Sequence, residues 1–207
     1  MIRELSDPIV LAIIISQLVA SMALYYLFPA LVLHWSDEFG WSIPQIMGAF
    51  SLALAVQGLS LKPAGTLIDQ GLVAVGKYAG AFLGCIGLAL MTVLTHLWQF
   101  YAIWALLGVA MGFTLYDAVF SLLIRCRGEA ASSSISVITM ITGLASAGAY
   151  TLVGWTSDDF GWRAILLILS GGMLCLYLPL IIFAVRRLES TVVPRRQEPH
   201  KNEPEGS

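Results

Sequence analysis

Six apolar runs, at residues 8–33, 43–61, 78–94, 97–124, 135–155 and 164–185, constrain this chain more than any other feature. Crossing the hydrocarbon of a bilayer takes about 20 such residues in a helix. Hydrocarbon offers backbone groups no water, so a spanning segment must satisfy its own hydrogen bonds; continuous runs of this length do so as helices, unlike the short alternating strands of a barrel. The expected fold class is therefore all-α, a polytopic membrane bundle of six transmembrane helices. Composition agrees: 58% of the 207 residues are hydrophobic and 12% charged, more apolar surface than a soluble fold can hide.

The first run is too long for a signal-peptide core and is read as a retained span. Past Val185 the sequence turns polar and proline-containing, RRLESTVVPRRQEPHKNEPEGS. This sets the expected domains: a bundle over residues 1–187 and a disordered cytoplasmic tail over 188–207.

Charge gives the orientation. Arg3, Lys62, Lys77, Arg125, Arg127, Arg186, Arg187, Arg195, Arg196 and Lys201 fall on one side of the six spans, and Arg163 alone on the other. Basic residues stay on the cytoplasmic side, so both termini are expected in the cytoplasm of a bacterial cell bounded by its inner membrane. The opposite loops hold Asp37, Glu38, Asp158 and Asp159, and Trp35, Trp41, Trp98, Trp155 and Trp162 gather there as an aromatic belt would. The outer loops SDEFGWS and SDDFGWR share one order of residues, with Gly40 and Gly161 at the turn and a Trp anchoring the next helix. Both lie on the same face, so this likeness is not that of an inverted repeat.

Catalysis finds little support. His34, His96 and His200 sit at span boundaries or in the tail, leaving no Ser with a histidine base inside the membrane. Cys85, Cys126 and Cys175 are scattered and read as free thiols. There is no metal-ligand cluster and no phosphate-cradling glycine loop, so no enzyme activity, catalytic residue, metal or cofactor is expected. The basic residues follow the membrane topology and form no nucleic-acid patch; Arg195 and Arg196 suit anionic lipid.

Polar residues inside the spans carry the remaining information. Asp117 is the one acid within an apolar run; an ionisable group there faces the bundle interior, a partner or a water path. It reads either as a proton- or substrate-linked carboxylate or as a structural acid paired with an Arg or a Tyr hydroxyl. Ser132, Ser136, Thr139, Gly143, Ser146 and Tyr150 recur at helical spacing on one face of the fifth span, with Val137, Ile138, Ile141 and Leu144 largely opposite. Gln17, Ser21 and Tyr25 form a shorter stripe in the first span, and Gln57 stands in the second. Such faces either line an aqueous cavity or pack helices closely. Between the second and third spans, LKPAGTLIDQGLVAVGK is expected to form a tight cytoplasmic turn at Pro63, Gly65 and Gly71, with Asp69 placed to meet a helix N-terminus or a basic residue.

That stretch resembles the loop between helices 2 and 3 of the major facilitator superfamily, matched at Gly65, Leu67, Asp69, Gly76 and Lys77. LLGVAMGFTLYDAVFSLLIR is similar to helix 4 of bacterial members, and ITGLASAGAYTLVGWTSDDFGWR to their helix 5 and the opening of helix 6. The sequence departs from the pattern at Gln70, where an Arg is usual, and at Val73 and Ala74, where basic residues are usual. The resemblance implies two inverted three-helix repeats and small-solute transport by alternating access. It implies candidate cavity or coupling roles for Gln17, Ser21, Tyr25, Gln57, Asp117, Thr139, Ser146 and Tyr150, and a cytoplasmic gate at Gly65, Asp69, Gly76 and Lys77. It covers the amino-terminal half of such a protein, so the expected partners are the lipid bilayer, a small solute, protons as a candidate coupling ion, and a second bundle from a homodimer or another half-transporter. The alternative is a truncated or non-transporting membrane protein that only associates with others.

Overall fold

A computed structural model describes residues 7–115, 120, 123–124 and 131–191, without the side chains of 157–159 and 189–191. Asp117, Cys126, Arg125, Arg127 and the tail with Arg195 and Arg196 lie outside the described residues. Every described element is a helix. Six are long and apolar enough to cross a membrane: α1 (Pro8–Phe39), α2 (Ile43–Asp69), α3 (Val73–Met91), α4 (Leu97–Thr114), α5 (Ala131–Thr156) and α6 (Phe160–Leu188).

Local chemistry sets the helix starts. The Asp7 carboxylate accepts the Ile9 N–H at 2.8 Å, and Pro8 sits in the first turn, where no backbone donor is lost. The Gln45 side chain accepts the Ser42 N–H at 3.0 Å ahead of α2, and Gln99 accepts the Thr95 and His96 N–H groups at 2.8 and 3.1 Å ahead of α4. Gly40, Gly71 and Gly161 take φ of 68°, 74° and 72°, the left-handed conformation that turns the chain between helices.

Two junctions differ from expectation. The helix α2 does not stop near Leu61 but continues through Pro63 to Asp69, so Pro63 and Gly65 lie inside it and Gly71 alone makes the turn. Proline costs one backbone hydrogen bond, a loss that helices in membranes accommodate. Because α3 already begins at Val73, Gly76 and Lys77 are helical and buried and do not belong to a loop. The fourth apolar run is also interrupted: Leu115 leaves helical geometry at ψ −169°, so α4 ends eighteen residues after it starts.

Close approach holds α4 between α2 and α3. A Cβ on Gly108 would collide with the Ala53 carbonyl oxygen of α2, and one on Gly112 would lie 2.6 Å from the Ser60 Cβ. From the other side, a Cβ on Gly80 of α3 would lie 2.8 Å from the Phe113 Cβ and one on Gly87 2.5 Å from the Leu107 Cδ2. Lipid gives helices no hydrophobic drive to associate, so such small-residue contacts and their dispersion energy hold spans together. Toward the end of the bundle that holds Gly40 and Gly161 an aromatic core takes over. Phe28 stacks on Phe50 with ring centroids 4.3 Å apart, Trp104 meets Phe28 edge-on at 4.7 Å, and Trp35 lies 5.1 Å from Phe100 and 6.2 Å from Trp162. Trp35 and Trp162 are thus core residues, while Trp98 and Trp155 are exposed as a belt requires. One π-helical turn interrupts α1 at Met22–Tyr26 and another interrupts α6 at Met173–Tyr177.

Candidate functional site

The polar candidates separate into a buried group and an open face. Where α4 ends, its carbonyls lose the partners that a continuing helix would supply, and the end of a helix carries partial negative charge. Three donors from three helices converge there. The Lys77 Nζ donates to the Thr114 carbonyl at 2.9 Å and to the Leu115 carbonyl at 3.3 Å, the Gln17 Nε2 donates to the Thr114 carbonyl at 3.1 Å, and the Tyr177 hydroxyl donates to it at 3.3 Å. The Thr114 hydroxyl is turned back onto Ala110 of its own helix at 2.7 Å. Lys77 is 1% exposed, Gln17 and Tyr177 are fully buried, and Ser21 lies one turn beyond Gln17 on the same buried face of α1.

Gln17 and Ser21 therefore sit in the packed interior. The Lys77 stem runs along Ile13, Ile181, Val185 and Leu188, which close round it too tightly to admit a water. Sequence reasoning assigned Lys77 to a loop and passed over Tyr177. The signal was present: Lys77, Ala81, Gly84 and Leu88 follow at four, three and four residues, one helical face, and all are buried.

The remaining candidates face outward. Tyr25 is 36% exposed, its ring edge-on to Phe50 of α2 with centroids 5.5 Å apart, while Met22, three residues earlier, lies 3.1 Å from where a Cβ on Gly148 of α5 would stand. The middle of α1 thus touches both α2 and α5. On α5, Thr139 and Tyr150 are exposed and Ser146 is half-buried; Gln57 of α2 is half-buried. The α5 hydroxyls donate to their own helix, Ser136 to the Ser132 carbonyl at 2.9 Å, Thr139 to the Ile135 carbonyl at 2.9 Å and Ser146 to the Gly143 carbonyl at 3.1 Å. Each keeps acceptor capacity for a ligand or water. Val137 and Ile138 are buried opposite the stripe as expected, but Leu144 is 63% exposed. The backbone tightens there, the Leu144 N–H bonding the Ile141 carbonyl three residues back, which swings Leu144 out of the inner face.

Gly65 and Asp69 lie in the last turns of α2, with Asp69 exposed. At the end of the bundle that holds Gly40 and Gly161, a cluster unforeseen in the sequence joins three helices. Arg163 pairs with Glu38 at 2.7 Å and donates through Nε to the Thr92 carbonyl at 3.0 Å, its guanidinium lies 4.4 Å over the Trp162 ring, and the Trp162 Nε1 donates to Glu38. Between α3 and α6, Cys85 and Ser170 exchange side-chain bonds to each other's carbonyls at 3.4 and 3.3 Å.

No curated protein matches the chain. The family model described as Major Facilitator Superfamily matches residues 13–206. With six membrane-length helices, no described element of another kind and a match spanning all six, the chain belongs to the Major Facilitator Superfamily, a family of membrane transporters.

Proposed function

We propose that this bundle moves a small solute by alternating access, working against a second six-helix bundle across the face formed by α1, α2 and α5. The observation that carries this reading is the contrast between faces: the interior is packed by glycines and aromatics, while Tyr25, Thr139 and Tyr150 stand exposed on adjoining helices with Gln57 and Ser146 half-exposed beside them. Polar groups bared to hydrocarbon are costly, and a water-filled path between two bundles removes that cost. The second bundle comes from a homodimer or another half-transporter. The reading includes two inverted three-helix repeats, α1–α3 and α4–α6, supported by the matching positions of α2 and α5, second in each triplet and both in contact with α1. Asp117 would couple protons to the solute and Asp69 would serve the cytoplasmic gate, with both termini cytoplasmic, in a bacterial inner membrane, as the basic residues favour. Helix continues to Thr191, and the tail beyond it would stay disordered in the cytoplasm.

A second reading, a membrane protein that associates with others without transporting, is favoured by one feature: the junction of α2 and α3 carries Gln70, Val73 and Ala74 where family members place basic residues. Spin labels on a cysteine-free background separate the two in lipid nanodiscs. Labels at Thr139 and Tyr150 should collide with a water-soluble relaxant far more often than labels at Phe82 and Leu167. Equal preference for oxygen, the lipid-soluble relaxant, at all four positions would sink the transport reading. Counting bleaching steps of one label per chain then gives the number of copies.

A further inference from the structure

Where α3 ends and α4 begins, an apolar groove of about 220 Å³ lies between the two helices. Leu90 of α3, Leu94 of the connection, and Ala102 and Ile103 of α4 are its apolar walls, and Trp98 and Gln99 stand about one turn nearer the start of α4. Leu90 is 44% and Trp98 69% exposed; in membrane-spanning helices such apolar exposure faces acyl chains, and a Trp at a span's end sits level with the headgroups. Size and chemistry choose the occupant. One turn of a helix, about 10 Å across and 5.4 Å tall, fills about 400 Å³, so a helix of a second copy does not enter. A single alkyl chain does: at about 30 Å³ for each group the size of a water, the groove takes about seven. The Gln99 Oε1 is committed to the Thr95 and His96 N–H groups at 2.8 and 3.1 Å, and no described residue accepts from its Nε2, which leaves the amide as a donor beside the apolar walls. An alkyl chain headed by an acceptor that carries no donor of its own, the acyl ester of a glycerolipid, complements both parts.

We propose that this groove seats one acyl ester of a phospholipid, its chain against Leu90, Ala102 and Ile103 and its ester carbonyl accepting from the Gln99 amide. The site holds one lipid per chain and releases it more slowly than the lipids around it. It lies on α3 and α4, apart from the polar residues of α1, α2 and α5 assigned to the solute.

The test is native mass spectrometry of the full chain in dodecyl maltoside, titrated with dioleoylphosphatidylglycerol. The indole added by Ala102→Trp occupies the groove, while Leu167→Trp adds the same ring at an exposed position of α6. Native protein should bind a first lipid well ahead of any second. That affinity should fall about tenfold in Ala102→Trp, the effect of displacing about two methylenes, and stay unchanged in Leu167→Trp. The diether analogue, which has no ester carbonyl, should bind native protein several-fold more weakly. Equal affinity of native and Ala102→Trp proteins, equal loss in both variants, or equal affinity for ester and ether lipids would overturn the proposal. So would a retained molecule of another class, or a dimer that Ala102→Trp splits. If Ala102→Trp yields no folded protein, Ala102→Leu replaces it: a loss of about fourfold, the effect of about one methylene, supports the proposal, and no loss overturns it.

Discussion

The Arg163 guanidinium and the Glu38 carboxylate meet at 2.7 Å across one end of the bundle, 125 residues apart in sequence. Arg163 is 44% and Glu38 37% exposed, so water and salt screen the attraction and an isolated pair of this kind contributes only about 0–1 kcal/mol. Arg163→Met also removes the bond to Thr92, whereas Glu38→Gln keeps an acceptor for Trp162. The expected order in urea or thermal unfolding is a loss of about 1 kcal/mol for Arg163→Met and less for Glu38→Gln. Added salt should narrow the gap from native protein.

Glycines on α4 differ from those on the open part of α2 in what a methyl group would meet. Gly108→Ala places its new carbon against the Ala53 backbone, which cannot move without shifting α2, and should cost about 2–4 kcal/mol or prevent folding. Gly58→Ala meets nothing within 4 Å and should be neutral or stabilise by up to about 1 kcal/mol. Comparing melting temperatures of the two variants checks this. A well-folded Gly108→Ala protein would mean that α2 and α4 are further apart than described.

Tyr177→Phe removes one long hydrogen bond at a carbonyl that retains Lys77 and Gln17 as donors. The loss should be about 0.5–1 kcal/mol, because no buried group is left unpaired. Denaturant titration reads it directly.

Thr139→Val deletes a hydroxyl that bonds only its own helix, so unfolding temperature should change by less than about 2 °C, a shift of about 0.5 kcal/mol or less. If α5 lines the solute path, uptake into proteoliposomes should fall several-fold in the same variant. Loss of stability without loss of uptake would assign Thr139 to helix packing.

Asp117→Asn should abolish uptake driven by a proton gradient while leaving solute exchange at equal pH intact, if the carboxylate couples protons. The paired assays share one protein preparation, so a folding defect would depress both.

Much of this architecture was legible because run length and charge position respond to the bilayer, which acts on each segment separately. Six spans, the turns at Gly40 and Gly161 and the outward stripe on α5 follow from local pattern alone. Features set by contact between distant segments were not legible. Pro63 reads as punctuation in water yet lies inside α2, and Lys77 reads as a loop cation yet spends its charge on carbonyls of α4. Trp35 and Trp162 read as belt residues until the partner rings that bury them are placed. Of the candidate site, spacing identified which residues share a face of one helix; it could not say that the Gln17 face turns inward and the Thr139 face outward, since that depends on how the helices are rotated against each other.

The π turns in α1 and α6 have a developmental logic of their own. A π turn holds one residue more than the α-helical turn it replaces, so everything beyond it is rotated by about 100° relative to an unbroken helix. Tyr25 and Tyr177, which donates to the Thr114 carbonyl, each lie within such a turn. A one-codon insertion is the shortest genetic step that produces such a turn, and a one-codon deletion the shortest that erases it. Deleting Ala23 or Leu174 would thus rotate everything beyond the turn by about 100° against what precedes it, making the length of each helix, counted in single residues, a variable that selection can adjust.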